Sequence, residues 1–316
     1  MSNCPWCNAP RDTAPKCPNC GAIYTKAEAI KTYGRAPLAS LHDEAPGNVS
    51  EQSLLPIEPL ITSSPQKISL VEDSVLEWQL CMGAIPISLC FALAFHVFTP
   101  FLQRTFLGMP IHELGHAVTA WFCGFVAMPT LWVTHVSETR GFIAPIALLG
   151  GLGYLIHAAY RSESKGLVAL GGLLVLILAI GRFGIKENTA EMLIVFGGDG
   201  AGMVLATVLM STFFFGKETQ LYKGLLRWGF LVIGAAAFVD MFSTWWVARS
   251  DFGKLPFGEQ EGGLRSDALR LVEDYGWDSV ALSRCYVTLG ICCLIVLALV
   301  YTWGVWQAKR TVNLVK

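Results

Sequence analysis

The sequence predicts an all-α polytopic membrane protein of about six transmembrane helices, with a small cysteine-rich module ahead of them. Three observations predict it. The 316 residues are 53% hydrophobic and only 15% charged, where soluble domains carry about 25% charge. Seven apolar runs come close to the roughly 20 residues that a bilayer crossing needs. Four cysteines, Cys4, Cys7, Cys17 and Cys20, stand as two short pairs before any of those runs. A net charge of −1 gives no support to nucleic-acid binding. The first residues are polar where a secretory signal needs an apolar core, so the hydrophobic segments are expected to insert by themselves.

Residues 1–33 form the first region. Cys4-Pro-Trp-Cys7 and Cys17-Pro-Asn-Cys20 are two C-P-x-C turns separated by nine residues, and each turn sets two thiolates at one corner of a tetrahedron. The pattern resembles a zinc ribbon, which implies a closed structural Zn²⁺ on the four cysteines and a surface able to take a protein partner. Residues 34–72 follow, with Pro37, Pro46, Pro56, Pro59 and Pro65 among Ser, Glu and Asn. No helical or strand period persists there, so a flexible linker is expected. The other six cysteines lie in apolar runs, where the thiol packs as a small hydrophobe.

Residues 73–316 are membrane. The candidate spans are Trp78–Phe98, Pro110–Pro129, Phe142–Tyr160, Gly166–Phe183, Ala190–Gly216, Trp228–Val247 and Val280–Gln307. Lys217, Lys223 and Arg227 cluster in one short loop, and Lys309, Arg310 and Lys316 follow the last span. Both groups are therefore expected on the cytoplasmic side. With the cysteine module also cytoplasmic the number of crossings must be even, which six satisfies. Phe142–Tyr160 and Gly166–Phe183 are the weakest spans, and one of them is expected not to cross fully. Trp132–Val136 alternates apolar and polar residues and predicts a short strand or hairpin. Leu264, Ala268, Leu269, Leu271 and Val272 recur at helical spacing in the external loop, as in a surface-lying amphipathic helix or an ordinary solvated one.

The second run carries the chemistry. His112 and His116 are four residues apart, so on a helix both imidazoles leave one face and can reach one metal ion. Glu113 is then placed to hold a water rather than the metal. Three ionisable groups in an apolar segment cost roughly 2.5–3.5 kcal/mol each on insertion scales, and a metal site supplies a reason for them. A hydrolytic site needs a third ligand. Candidates are His96, His135, His157, Glu191, Asp199 and Asp240, with Asp199 in Phe196-Gly-Gly-Asp-Gly-Ala-Gly202 first and Asp240 next.

His112-Glu-Leu-Gly-His116-Ala117 in a membrane segment, followed by a second segment with Asp199-Gly200, resembles the site-2 protease family of intramembrane zinc metalloproteases. The resemblance spans residues 110–216. It implies that His112, His116 and Asp199 bind a catalytic Zn²⁺ and that Glu113 is the general base. It also implies an endopeptidase that cuts a membrane-spanning protein substrate in regulated proteolysis, so that residues 73–316 are a metalloprotease domain in the lipid bilayer of the plasma (inner) membrane. The family's aspartate motif often has Asn-Pro ahead of Asp-Gly; here Gly197-Gly198 stand instead. Two other readings are a membrane metallopeptidase with a glutamate third ligand, for which Glu191 is the comparable residue, and a non-catalytic scaffold acting through its ribbon.

Overall fold

The computed structural model describes Cys17 and residues 65–216, 219–258 and 265–315. The chain divides into two units, Met1–Ile61 and Thr62–Lys316, and the fold described is that of the second. Cys4, Cys7 and Cys20 lie outside the described residues, as does most of the expected linker; Cys17 is buried.

Helix α1 runs Pro65–Phe98. It begins inside the stretch expected to be flexible, so residues 65–72 are helical. Proline is tolerated in a first helical turn, where its missing N–H has no partner to lose, and no further proline follows until Pro86. A four-residue helix α2, Pro100–Gln103, leads through a π turn, Arg104–Gly108, into the motif helix α3, Met109–Cys123. Pro110 in the first turn of α3 cannot bond back to Phe106, and the wider π turn upstream takes up that mismatch. Gly124 ends α3 in the left-handed region at φ 91°, a conformation glycine adopts without Cβ strain.

Strands β1 (Ala127–Pro129) and β2 (Thr134–Val136) pair antiparallel with Met128 opposite His135, which realises the expected hairpin. Next come α4 (Ile143–Arg161), α5 (Lys165–Ala179), α6 (Glu187–Ser211), a short α7 (Gln220–Lys223) and α8 (Leu226–Ala248). Helix α9 (Asp267–Glu273) lies in the loop after α8, and α10 (Ser279–Val315) ends the described chain.

Among the described residues six helices are long and apolar enough to cross a membrane: α1, α4, α5, α6, α8 and α10. The chain is accordingly an integral membrane protein. The reduction from seven candidates to six falls elsewhere than expected. Both α4 and α5 qualify, whereas the motif segment does not: its helix is only 15 residues long and carries His112, Glu113 and His116. Burial explains how it tolerates them. More than half of the apolar window of α6 and of α8 is buried (56% each), against 17% to 28% in the other four spans. Helices α3, α6 and α8 form the centre, and the leucine-rich faces of α4 and α5 stay open, as lipid-facing surfaces do.

Helix α9 does not lie on the surface. Ala268 and Leu271 are buried in the main core beside Trp245, Leu282 and Tyr286, so the amphipathic spacing read from the sequence marks a docking face. Ser266 caps it, its Oγ accepting from Leu269 N–H at 3.3 Å.

Candidate metal centre

Helices α3 and α6 cross with almost no side chain between them. A Cβ at Gly115 would strike the carbonyls of Gly197 and Gly198, so the backbones themselves set the spacing, as small residues do between membrane helices. One turn of α3 then presents His112 and His116 together, their rings edge to face with centroids 4.7 Å apart. His112, Glu113 and His116 are all buried, offer ligand atoms within 4.8 Å of one another, and could hold a metal ion.

The partners of each ring assign its hydrogens. His116 Nδ1 faces the Ile194 carbonyl at 2.7 Å; a carbonyl only accepts, so Nδ1 carries the hydrogen and Nε2 presents a lone pair. His112 Nδ1 faces Asp199 Oδ1 at 2.8 Å and donates in the same way. The two Nε2 atoms then meet each other at 3.1 Å. Into the same space comes Asp267 from α9, its Oδ2 3.0 Å from His112 Nε2 and 3.0 Å from His116 Nε2. Three lone-pair atoms converging at 3.0–3.1 Å repel unless a cation lies among them. A hydrogen on one ring settles one contact; a dication settles all three. The donor set of two imidazoles and carboxylate oxygen suits zinc or another first-row dication.

The remaining predicted residues take distinct places. Asp199 reaches the site, but at the ring nitrogen of His112 turned away from His116. Its other oxygen accepts from Trp245 Nε1 at 2.7 Å. Trp245 is fixed in a stack with Tyr286 (centroids 4.1 Å) that continues through Phe196 and Trp277. Asp240 pairs with Arg104 Nη1 at 2.9 Å and lies 3.7 Å from His96, a structural ion pair. His135 and His157 are exposed on β2 and α4. Glu191 lines the cleft in front of the histidines. That cleft, about 600 Å³, is bounded by Glu113, His116, Thr134, Glu191, Asp267 and Arg270 among others. The hairpin is tied to α3 beside it through Thr134 Oγ1, which donates to the Glu113 carbonyl at 2.8 Å.

Two site residues escaped the sequence reading. Asp267 lies in a polar loop 151 residues beyond His116, where one acid among seven carries no signal. Arg104, within 3.7 Å of Asp199 and bonded to Asp240, could have been suspected as a cation inside an apolar run. No family model matches the chain, and neither a curated protein nor a solved structure does.

Proposed function

We propose that the chain is an intramembrane zinc metalloendopeptidase that hydrolyses a peptide bond of a membrane-spanning substrate, similar in chemistry to the site-2 proteases. The observation that supports this best is the convergence of the His112 and His116 lone pairs at the wall of a cleft that Glu113 also lines. His112 and His116 would hold the ion. When bound, zinc supplies Lewis acidity toward the scissile carbonyl and toward water. Glu113 takes a proton from the attacking water and returns it to the leaving amine, so one carboxylate serves as base and then acid. Asp199 and the Ile194 carbonyl hold the two imidazoles in the tautomer and orientation the ion requires.

In this reading the amino-terminal ribbon holds a second, structural zinc on Cys4, Cys7, Cys17 and Cys20 and offers a surface to a protein partner. Both termini are cytoplasmic in the plasma (inner) membrane, and cleavage serves regulated proteolysis. The test uses the full chain in proteoliposomes with a panel of single-span reporter proteins tagged at both ends, new termini being read by mass spectrometry. Wild type should release fragments that disappear with a chelator and with Glu113→Gln, while Glu113→Gln keeps its zinc. Fragments that persist in Glu113→Gln, or none from any reporter with wild type, would sink the proposal.

A further inference from the structure

The geometry points to Asp267 as the third metal ligand, supplied by the loop between α8 and α10, with Asp199 acting one step back as the residue that positions His112. The inference rests on the metal-binding half of the preceding proposal and not on its hydrolytic half. Ligand atoms each about 2.0–2.2 Å from one ion lie roughly 3.3 Å apart at tetrahedral angles. His112 Nε2, His116 Nε2 and Asp267 Oδ2 lie 3.0–3.1 Å apart pairwise, the spacing of three corners around one ion, with Glu113 on the side of the cleft.

Asp199 does not meet that description. Its Oδ1 is bound to His112 Nδ1 and its Oδ2 to Trp245 Nε1. The two nitrogens of one imidazole point away from each other, so a group on Nδ1 is not beside an ion on Nε2. The arrangement is instead a carboxylate–histidine pair behind a metal, which fixes the ring and raises its basicity.

Asp267 is also held as a ligand should be. The Ser266 cap starts α9, and the burial of Ala268 and Leu271 pins that short helix to the core. Its other oxygen lies 3.9 Å from the half-buried Arg270, too far for a firm competing bond, so Oδ2 is free to face the rings. A ligand carried by this loop joins two separate parts of the chain. Loading the ion therefore fastens the loop over the histidines, and the loop's docking in turn completes the site.

The test is Co²⁺ titration of the purified full chain in detergent after stripping with a chelator, read by absorption. Wild type should take up two Co²⁺ per chain, one beyond the thiolate-bound ion of the proposed ribbon, and the increment from the second should show the d–d bands of a tetrahedral ion. Asp267→Cys should add a thiolate-to-cobalt charge-transfer band beyond that of wild type, and Asp199→Cys should add none. Asp267→Asn should bind at least about tenfold more weakly and with altered d–d bands. Asp199→Asn should weaken binding by about 10–100-fold yet show the wild-type d–d bands once saturated. Helical circular dichroism and a monodisperse elution profile establish that each variant is folded. A new charge-transfer band in Asp199→Cys without one in Asp267→Cys overturns the assignment, as does wild-type affinity and spectrum in Asp267→Asn. A wild type that binds no ion here removes the metal reading itself, an outcome distinct from all of these.

Discussion

Gly198→Ala adds one methyl group directly against the two histidine rings, its Cβ 2.5 Å from His112 Cε1. A Cβ at Gly198 would stand 2.6 Å from His116 Nε2 and 2.7 Å from its Cε1, about 0.9 Å inside an ordinary contact of roughly 3.5 Å. Separating α3 from α6 would open the close backbone packing at Gly115, where an added Cβ would strike the carbonyls of Gly197 and Gly198, so the rings move instead. Overpacking costs about 1–3 kcal/mol, and the better helix propensity of alanine offsets about 1 kcal/mol of it. The expected loss of stability is thus small, on the order of 1 kcal/mol. Metal sites tolerate only about 0.2 Å in ligand distance, so binding should suffer more, on the order of 10–100-fold, as when a supporting contact is removed. Cobalt titration and thermal unfolding of the same detergent preparation separate the two effects. Gly172→Ala on α5 is the control: its added Cβ meets nothing within 4 Å, and it should bind as wild type does. Wild-type affinity in Gly198→Ala would refute the claim that the α3–α6 crossing positions the histidines.

Three further outcomes are expected. Asp240→Asn should leave zinc occupancy near wild type but lower the unfolding temperature, because it removes the nearer carboxylate of the partly buried Arg104 guanidinium and leaves Asp199 at 3.7 Å; loss of the ion would show that Asp240 belongs to the metal site. Removal of residues 1–33 should lower zinc from two ions per chain to one by elemental analysis, and retention of both would refute the Cys₄ ribbon. Reporter fusions after Lys316 and within Lys254–Gly263 should report opposite sides of the membrane, and the same side for both would overturn the six-crossing topology.

The spanning helices were legible because their signal is additive: an apolar run long enough to cross reads the same in any tertiary setting. Phe142–Tyr160 is one of the two weakest spans by sequence, yet Ile143–Arg161 is one continuous helix, since Pro145 stands in its first turn, where a missing N–H has no partner to lose. The motif helix was misjudged in the opposite sense. His112, Glu113 and His116 count against a crossing of its own, and just upstream Gln103, bonded to the Ala236 carbonyl, and Arg104, bonded to Asp240, anchor the segment to α8. Two histidines and a glutamate at helical spacing are a local pattern and were found. Asp267 meets them only through the folding of a distant loop, and no local pattern reports that. The helical spacing of Ala268 and Leu271 was visible, but what they pack against was not.

The cleft beside Glu113 has a consequence for what could be cut there. One turn of α-helix with its side chains, about 5.4 Å long and 10–12 Å across, occupies roughly 500 Å³, a size comparable with the cleft of about 600 Å³. Under the proposed activity the part of a substrate helix seated there keeps its carbonyls hydrogen-bonded along the axis until that turn opens. Each such bond is worth about 4–6 kcal/mol in an apolar medium, too much to break in series without a weak point in the sequence. A glycine near the scissile bond lowers helix stability by about 1 kcal/mol and a proline by about 3, which corresponds to factors of roughly 5 and 150 in the opened fraction. Selection would then rest on how readily a segment unravels, with the identity of the flanking side chains secondary.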